Sequence, residues 1–196
     1  MTLGQVCQMA VIICWLGLAA AMFIRKKGPP TQERKRSQAF VVGVILQAIG
    51  FALLWTMRRD PDEPLLPLPG WFNDSLMIGA PVVAAGAVLF IAMAIRTLGA
   101  HWTLAARTIE GHKLVDEGPF AIVRHPIYSG LFALLIATGI VSTSLPALAA
   151  AIIAYAVGMW LRLRVEERLL VATFGNEYSA YCARVPAVFP RIRLTN

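Results

Sequence analysis

EGHKLVDEGPFAIVRHPIYSG, residues Glu110 to Gly130, is a long polar interval in the middle of a very apolar chain. It gathers His112, His125, Lys113 and Arg124 among the breakers Gly111, Gly118, Pro119 and Pro126. Before it, Ser75 to Leu98 carries a single charge, Arg96, near its end; after it, Pro126 to Val141 carries none. At 1.5 Å per residue, runs of this kind approach or reach the ~30 Å of a bilayer's hydrocarbon core. The interval therefore reads as a loop between membrane helices, and the fold follows from finding the other crossings.

The chain has 196 residues, enough for one domain, and 58% of them are hydrophobic while only 15% are charged. A soluble domain carries about a quarter charged residues. We read spans over 3–24, 38–57, 75–98, 126–141 and 145–163, a loop over 99–125 and a helical tail over 164–196, all as a single membrane domain. The expected fold is an all-α integral membrane protein with five transmembrane helices. The last two form a hairpin about Ser142-Thr143-Ser144-Leu145-Pro146, and amphipathic helices follow. A signal peptide is the competing reading of the first span. It lacks a preceding lysine or arginine, and its apolar run exceeds the usual 7–15 residues. Ser37 is placed to cap the second span, Pro81 falls near the start of the third, and Ala80, Ala84, Ala85 and Gly86 offer a small-residue packing face.

The net charge of +7 does not indicate nucleic acid. The basic residues sit between apolar spans with no aromatic interleaving. All 18 lysines and arginines except Arg58 and Arg59 lie in or beside the first loop, the third loop or the tail. Those two share their loop with Asp60, Asp62, Glu63 and Asp74. The positive-inside rule then puts the N-terminus outside, and the loop over 99–125 and the tail in the cytoplasm. The basic run from Arg25 to Arg36 reads as a topology signal, with contact to anionic membrane lipids as the alternative. Three cysteines make no disulfide framework; Cys7 and Cys14 read as small hydrophobes.

Two polar groupings can carry chemistry. Pro126 starts a helix whose free N–H groups, next to Arg124 and His125, suit an anionic group. Arg162 and Glu166 stand i,i+4 on one face at the end of the last apolar run. The plain alternatives are an interfacial loop and a surface ion pair. No metal site is expected, since His112 and His125 have no third soft ligand nearby. No nucleophile elbow and no glycine-rich phosphate cradle is present.

Taken together, Gly111-His112-Lys113-Leu114-Val115, Gly118-Pro119-Phe120, Arg124-His125-Pro126, Tyr128 and Gly130 resemble the signature of the isoprenylcysteine carboxyl methyltransferase family. Glu166-Glu167, Leu170, Phe174-Gly175, Glu177-Tyr178, Tyr181 and Val185-Pro186 resemble that family's C-terminal motif. The likeness covers about residues 99–192, and the related phospholipid N-methyltransferases share part of it. It implies a multi-span membrane enzyme that uses S-adenosyl-L-methionine and leaves S-adenosyl-L-homocysteine. It further implies that His112, Lys113, Leu114, Val115, Phe120, His125, Pro126, Tyr128 and Glu166 bind the cofactor. Arg162 and Glu166 would be the catalytic pair, with Arg162 on the methyl acceptor. Phe120 stands where the family often has tyrosine, and Ala105 where some relatives have glutamine.

Methyl transfer from a sulfonium is an in-line displacement, and an acceptor carboxylate is already ionised. Positioning and exclusion of water are then the main tasks. A lipophilic acceptor would enter sideways from the bilayer, and the cofactor from the cytosol. The alternatives are a phospholipid or small-amine N-methyltransferase, for which Glu166 or Glu167 would be the base, a membrane reductase, and a non-catalytic membrane protein.

Overall fold

The computed structural model describes residues 1–23, 37–99 and 114–191. Among the described residues the regular structure is helical apart from one isolated β-bridge. The helices are α1 (Leu3–Phe23), α2 (Gln38–Thr56), α3 (Gly70–Leu98), α4 (Pro119–Ile122), α5 (Pro126–Ser142), α6 (Leu145–Phe174) and α7 (Asn176–Arg184). Four of them, α1, α2, α3 and α6, are long and apolar enough to cross a membrane, and α5 is a shorter apolar helix.

The sides of α1, α2 and α3 that face away from the bundle are themselves apolar. Ile13, Leu16, Ile45, Val82 and Leu89 are all exposed. A helix apolar on every side belongs in lipid. The protein is an integral membrane protein.

α5 is the hub. Leu134, Leu135, Ala137 and Thr138 are each about 1% exposed or less. On one side it packs against α3 and α1 through a core of Val11, Leu18, Ala84, Ile91, Leu134 and Ala137. On the other side Leu135 and Tyr128 join Leu54, Ala151 and Tyr155 of α2 and α6. With 17 residues, α5 is ~26 Å long, short of a full hydrocarbon crossing. Its surroundings are protein, so it has little lipid to match.

Several expectations are refined. The Thr143–Ser144 turn does join α5 to α6, but the two are not primarily each other's partners: α6 packs chiefly on α2, and α5 on α3. α3 begins at Gly70, not Ser75, because the Pro69 carbonyl receives the amides of Phe72 and Asn73. Asn73 then ties down the preceding loop through Leu66 and Leu68. Trp71 and Phe72 are therefore helical, and Pro81 lies well inside the helix. The packed small-residue face of α3 is Ala80, Ala84 and Ala87, while Ala85 and Gly86 point outward. Gly130 of α5 lets the Ala87 carbonyl approach. The helix that holds the last expected span, 145–163, continues beyond it. α6 runs on for 30 residues, ~45 Å, so its basic and acidic half is a rigid extension of the apolar half. Ser37 does cap α2, accepting from the Phe40 amide at 3.2 Å.

Arg59 has a specific task at the far end of α5. It donates to the carbonyls of Ile140 at 2.8 Å and Thr143 at 3.1 Å. Its backbone amide donates to Ser142. The last carbonyls of a helix lack internal partners and carry partial negative charge, which a guanidinium satisfies.

Candidate active site

Of the expected site residues, His125, Pro126, Tyr128, Arg162 and Glu166 gather where α5 begins, at the opposite end from Arg59. Gly118, with φ +58°, turns the chain into the short α4, which a proline at its first position also favours. From Val123 to His125 the chain then runs beside the segment that follows α7. The Arg124 amide donates to the Pro186 carbonyl at 2.8 Å, and the His125 amide to Ala187 at 2.9 Å. Ser129 Oγ adds a bond to the Val188 carbonyl at 2.6 Å. The tail after α7 is thus laced to the start of α5.

Side chains lock the same junction. Glu167 Oε1 receives Arg124 Nη2 at 2.5 Å and Nε at 3.2 Å, and lies 3.2 Å from His125 Nε2. Arg124 Nη1 donates to the Val185 carbonyl at 2.6 Å. His125 and Arg124 together hold the Glu167 carboxyl down to about 2, against the opposing effect of burial. Behind this, Tyr178, Tyr181 and Val185 pack with Leu114, Leu170 and Phe174. Tyr181 donates to the Phe120 carbonyl at 2.6 Å. Burial pushes both tyrosine hydroxyls up, so they stay neutral.

One helical position earlier, Glu166 belongs to a different set. Tyr128 donates to its Oε1. Arg162 Nη2 stands 3.8 Å from Oε1, and His125 Nδ1 stands 3.8 Å from Oε2. The Arg162 guanidinium lies over two rings, 4.7 Å from the Phe40 centroid and 4.9 Å from that of Tyr128. A guanidinium over an aromatic face is attracted by the ring quadrupole, more strongly where water is excluded. Arg162 Nη1 donates to Gln47 Oε1 of α2 at 2.7 Å. Tyr155 fixes the first turn of α5 from below by donating to the Tyr128 carbonyl at 3.2 Å.

The close fit of α2 and α6 rests on two glycines. A Cβ at Gly43 would sit 2.6 Å from Arg162 Cγ, and one at Gly158 would sit 2.6 Å from the Gly43 carbonyl. Only this approach brings Gln47 to Arg162.

The structure therefore brings together His125, Tyr128, Arg162 and Glu166, with Pro126 at the helix start. Leu114 packs with Tyr178, Tyr181 and Val185, and the Phe120 carbonyl accepts from Tyr181, while Val115 is half-buried beside Leu114 in sequence. His112 and Lys113 lie outside the described residues, as does Ala105. His125, 7% exposed, is a buried partner of Glu167 as much as a surface for a ligand. Sequence reasoning missed Gln47 and Phe40. A glutamine in the middle of an apolar span is the available signal for the first. Among the described residues, no group of three histidines, cysteines or carboxylates stands close enough to hold a metal ion. A cavity of about 360 Å³ opens at the Arg59 end, beside Asp62, Glu63 and Asp74, and none of the site residues lines it.

Helices of spanning length around one buried, shorter helix, with a polar cluster where α5 begins and partway along α6, define a multi-span helical membrane protein. Residues 77–172, just under half of the chain, match the model of the isoprenylcysteine carboxyl methyltransferase (ICMT) family. Protein-S-isoprenylcysteine O-methyltransferase B of Arabidopsis thaliana is 39% identical over 103 residues, which are 50% of this chain and 50% of that protein. The cobalt-zinc-cadmium resistance protein CzcN of Cupriavidus metallidurans is 33% identical over 107 residues, 53% of this chain and 48% of that one. The chain spans about half the length of the curated relatives it matches. A solved structure of the eukaryotic intramembrane Ras methyltransferase ICMT shares the fold, with a TM-score of 0.55 at 22% identity, over 81% of this chain and 55% of that one.

Proposed function

We propose that this protein is an S-adenosylmethionine-dependent integral membrane methyltransferase that esterifies a carboxylate on a lipophilic, prenylcysteine-like acceptor. The observation that carries this reading is the meeting of Tyr128, at the start of α5, with Arg162 and Glu166 of α6. One cation and one anion stand there side by side, both held by apolar or aromatic surroundings.

The donor set fits the amino-acid end of S-adenosylmethionine. Glu166 and the Tyr128 hydroxyl complement its ammonium, and the free N–H groups at the start of α5 complement its carboxylate. When bound, the group supplies an electrophilic methyl on a sulfonium. His112 and Lys113 would hold the remainder, with Leu114, Val115, Phe120, His125 and Pro126 supporting it.

The rest of the chemistry belongs to the chain. Arg162 binds the acceptor carboxylate and keeps it ionised, so no side chain has to remove a proton. Tyr128 fixes the orientation of Glu166, and Tyr155 fixes Tyr128. Phe40 and Tyr128 exclude water from the Arg162 guanidinium, which strengthens its hold on an anion. The Arg124–Glu167–His125 grouping holds the tail so that α7 and Leu114 close over the α5 start. We place the N-terminus outside, five crossings including α5, and the site at the cytoplasmic end, where the cofactor arrives. The acceptor arrives through the bilayer.

The test is purified protein in detergent with methyl-labelled S-adenosylmethionine and a farnesylated cysteine carrying a free carboxylate. Labelled, base-labile methyl ester is the expected product. Base-stable N-methyl product from an amine acceptor, with no ester, would replace this reading with the amine one. Failure of S-adenosylhomocysteine to raise the unfolding temperature would remove the cofactor from both.

A further inference from the structure

We propose that Gln47 is an acceptor-recognition residue that makes the site select a carboxylate over an amine; this rests on the reading above and adds the determinant of its substrate class. Gln47 stands in the middle of α2, 6% exposed, in a helix that carries no charge. A polar side chain at that depth is costly unless every one of its groups is used.

One of its groups is used. Gln47 Oε1 accepts from Arg162 Nη1 at 2.7 Å. A guanidinium only donates, so the amide oxygen must face it and the NH2 group must turn away. Among the described residues that Nε2 is buried without a partner, and so is Arg162 Nε. Glu166 lies 3.8 Å from Nη2, beyond hydrogen-bond length. The Nε–Nη2 edge of Arg162 therefore makes no direct hydrogen bond within the described residues. It is the edge whose two parallel N–H groups match a carboxylate.

Two buried donors, Gln47 Nε2 and Arg162 Nε, thus stand without a partner among the described residues, beside the Phe40 and Tyr128 rings. Their complement is a molecule that brings oxygen acceptors and negative charge. A carboxylate on the Arg162 edge, with a second oxygen of the same acceptor taking the Gln47 N–H, uses the orphan groups. An ammonium would bring further donors and a positive charge against Arg162. Because Gln47 also orients Arg162 through Nη1, it acts on the acceptor twice.

Gln47→Glu keeps an oxygen toward Arg162 and replaces the free donor with negative charge. Gln47→Met keeps the volume and removes both polar groups. Each is measured beside the wild type with farnesylcysteine as acceptor and S-adenosylhomocysteine as a probe of folding. We expect KM for farnesylcysteine to rise about ten- to hundredfold in both. The stabilisation by S-adenosylhomocysteine and KM for S-adenosylmethionine should stay within about twofold. A residue that merely packs would lower the unfolding temperature and leave the acceptor KM alone, and that result overturns the proposal. Where the variants do not fold, competition on the wild type decides. Farnesylcysteine should bind at least about tenfold more tightly than its carboxamide or its decarboxylated amine, and equal binding overturns the proposal. A wild type inert toward farnesylcysteine defeats the activity reading, whereas an active enzyme indifferent to Gln47 defeats this inference alone.

Discussion

At the scale of single residues, two adjacent glutamates have separate duties. Helical geometry turns successive residues by 100°, so Glu166 faces Tyr128 and Arg162 while Glu167 faces Arg124 and His125. Glu166→Gln should abolish methyl transfer while leaving the unfolding temperature within a few degrees. Glu167→Gln should instead destabilise the fold by about 1–3 kcal/mol, because it strands the Arg124 guanidinium against the tail carbonyls. Thermal unfolding in detergent separates the two. Arg162→Ala should lower kcat/KM for a carboxylate acceptor by about a hundredfold or more, read with farnesylcysteine. The acid limb of stability has a sign that can be worked out. The Glu167 value is about 2 in the fold, against about 4.3 for a free glutamate. Its contribution is complete above roughly pH 4.5 and is lost as the pH falls toward 2. Unfolding temperatures at pH 5 and pH 3 should therefore differ more in the wild type than in Glu167→Gln.

At the scale of elements, the α2–α6 pair carries the site. Gly43 and Gly158 have no side chains, and their absence sets the distance from Gln47 to Arg162. Gly158→Val should push the helices apart at a cost of about 1–3 kcal/mol and should impair acceptor binding more than cofactor binding. The unfolding temperature together with the two KM values checks this. A uniform rise in both KM values would mean that the helix spacing is general scaffolding. The same pair shows why α5 and α6, joined by the expected tight turn, pack chiefly on other helices. A two-residue turn makes them neighbours in sequence, but surface shape decides which faces pack. α5 offers Gly130 to α3, and α6 offers Gly158 to α2.

At the scale of the whole molecule, the bundle has two differently built ends. At one, Arg59 closes the α5 C-terminus and acidic Asp62, Glu63 and Asp74 ring a cavity. At the other, the tail from Val185 to Val188 is stitched to Arg124, His125 and Ser129. Ending the chain after Arg184 should remove these carbonyls and weaken S-adenosylhomocysteine binding by about tenfold or more; calorimetry in detergent measures it. Unchanged affinity would show that the tail is only a clasp on the outside of the site. The proposed orientation is checked by cysteine labelling in sealed vesicles, with Asp62→Cys expected on the face opposite Arg164→Cys.

Much of the fold is legible in the sequence. Long uncharged runs must lie in lipid, because backbone polar groups there have to bond within their own helix. Ser37 as a cap, Gly175 as a helix end and the i,i+4 spacing of Arg162 and Glu166 are local, and local rules reached them. Apolar composition alone could not choose among helix pairings, since every face of a membrane helix is greasy and periodicity carries little signal. The burial of α5, the outward turn of Ala85 and Gly86, and the meeting of Gln47, Phe40 and Arg162 across 115 residues of chain belong to the tertiary structure. Complementary surface relief, set by where side chains are missing, decided them.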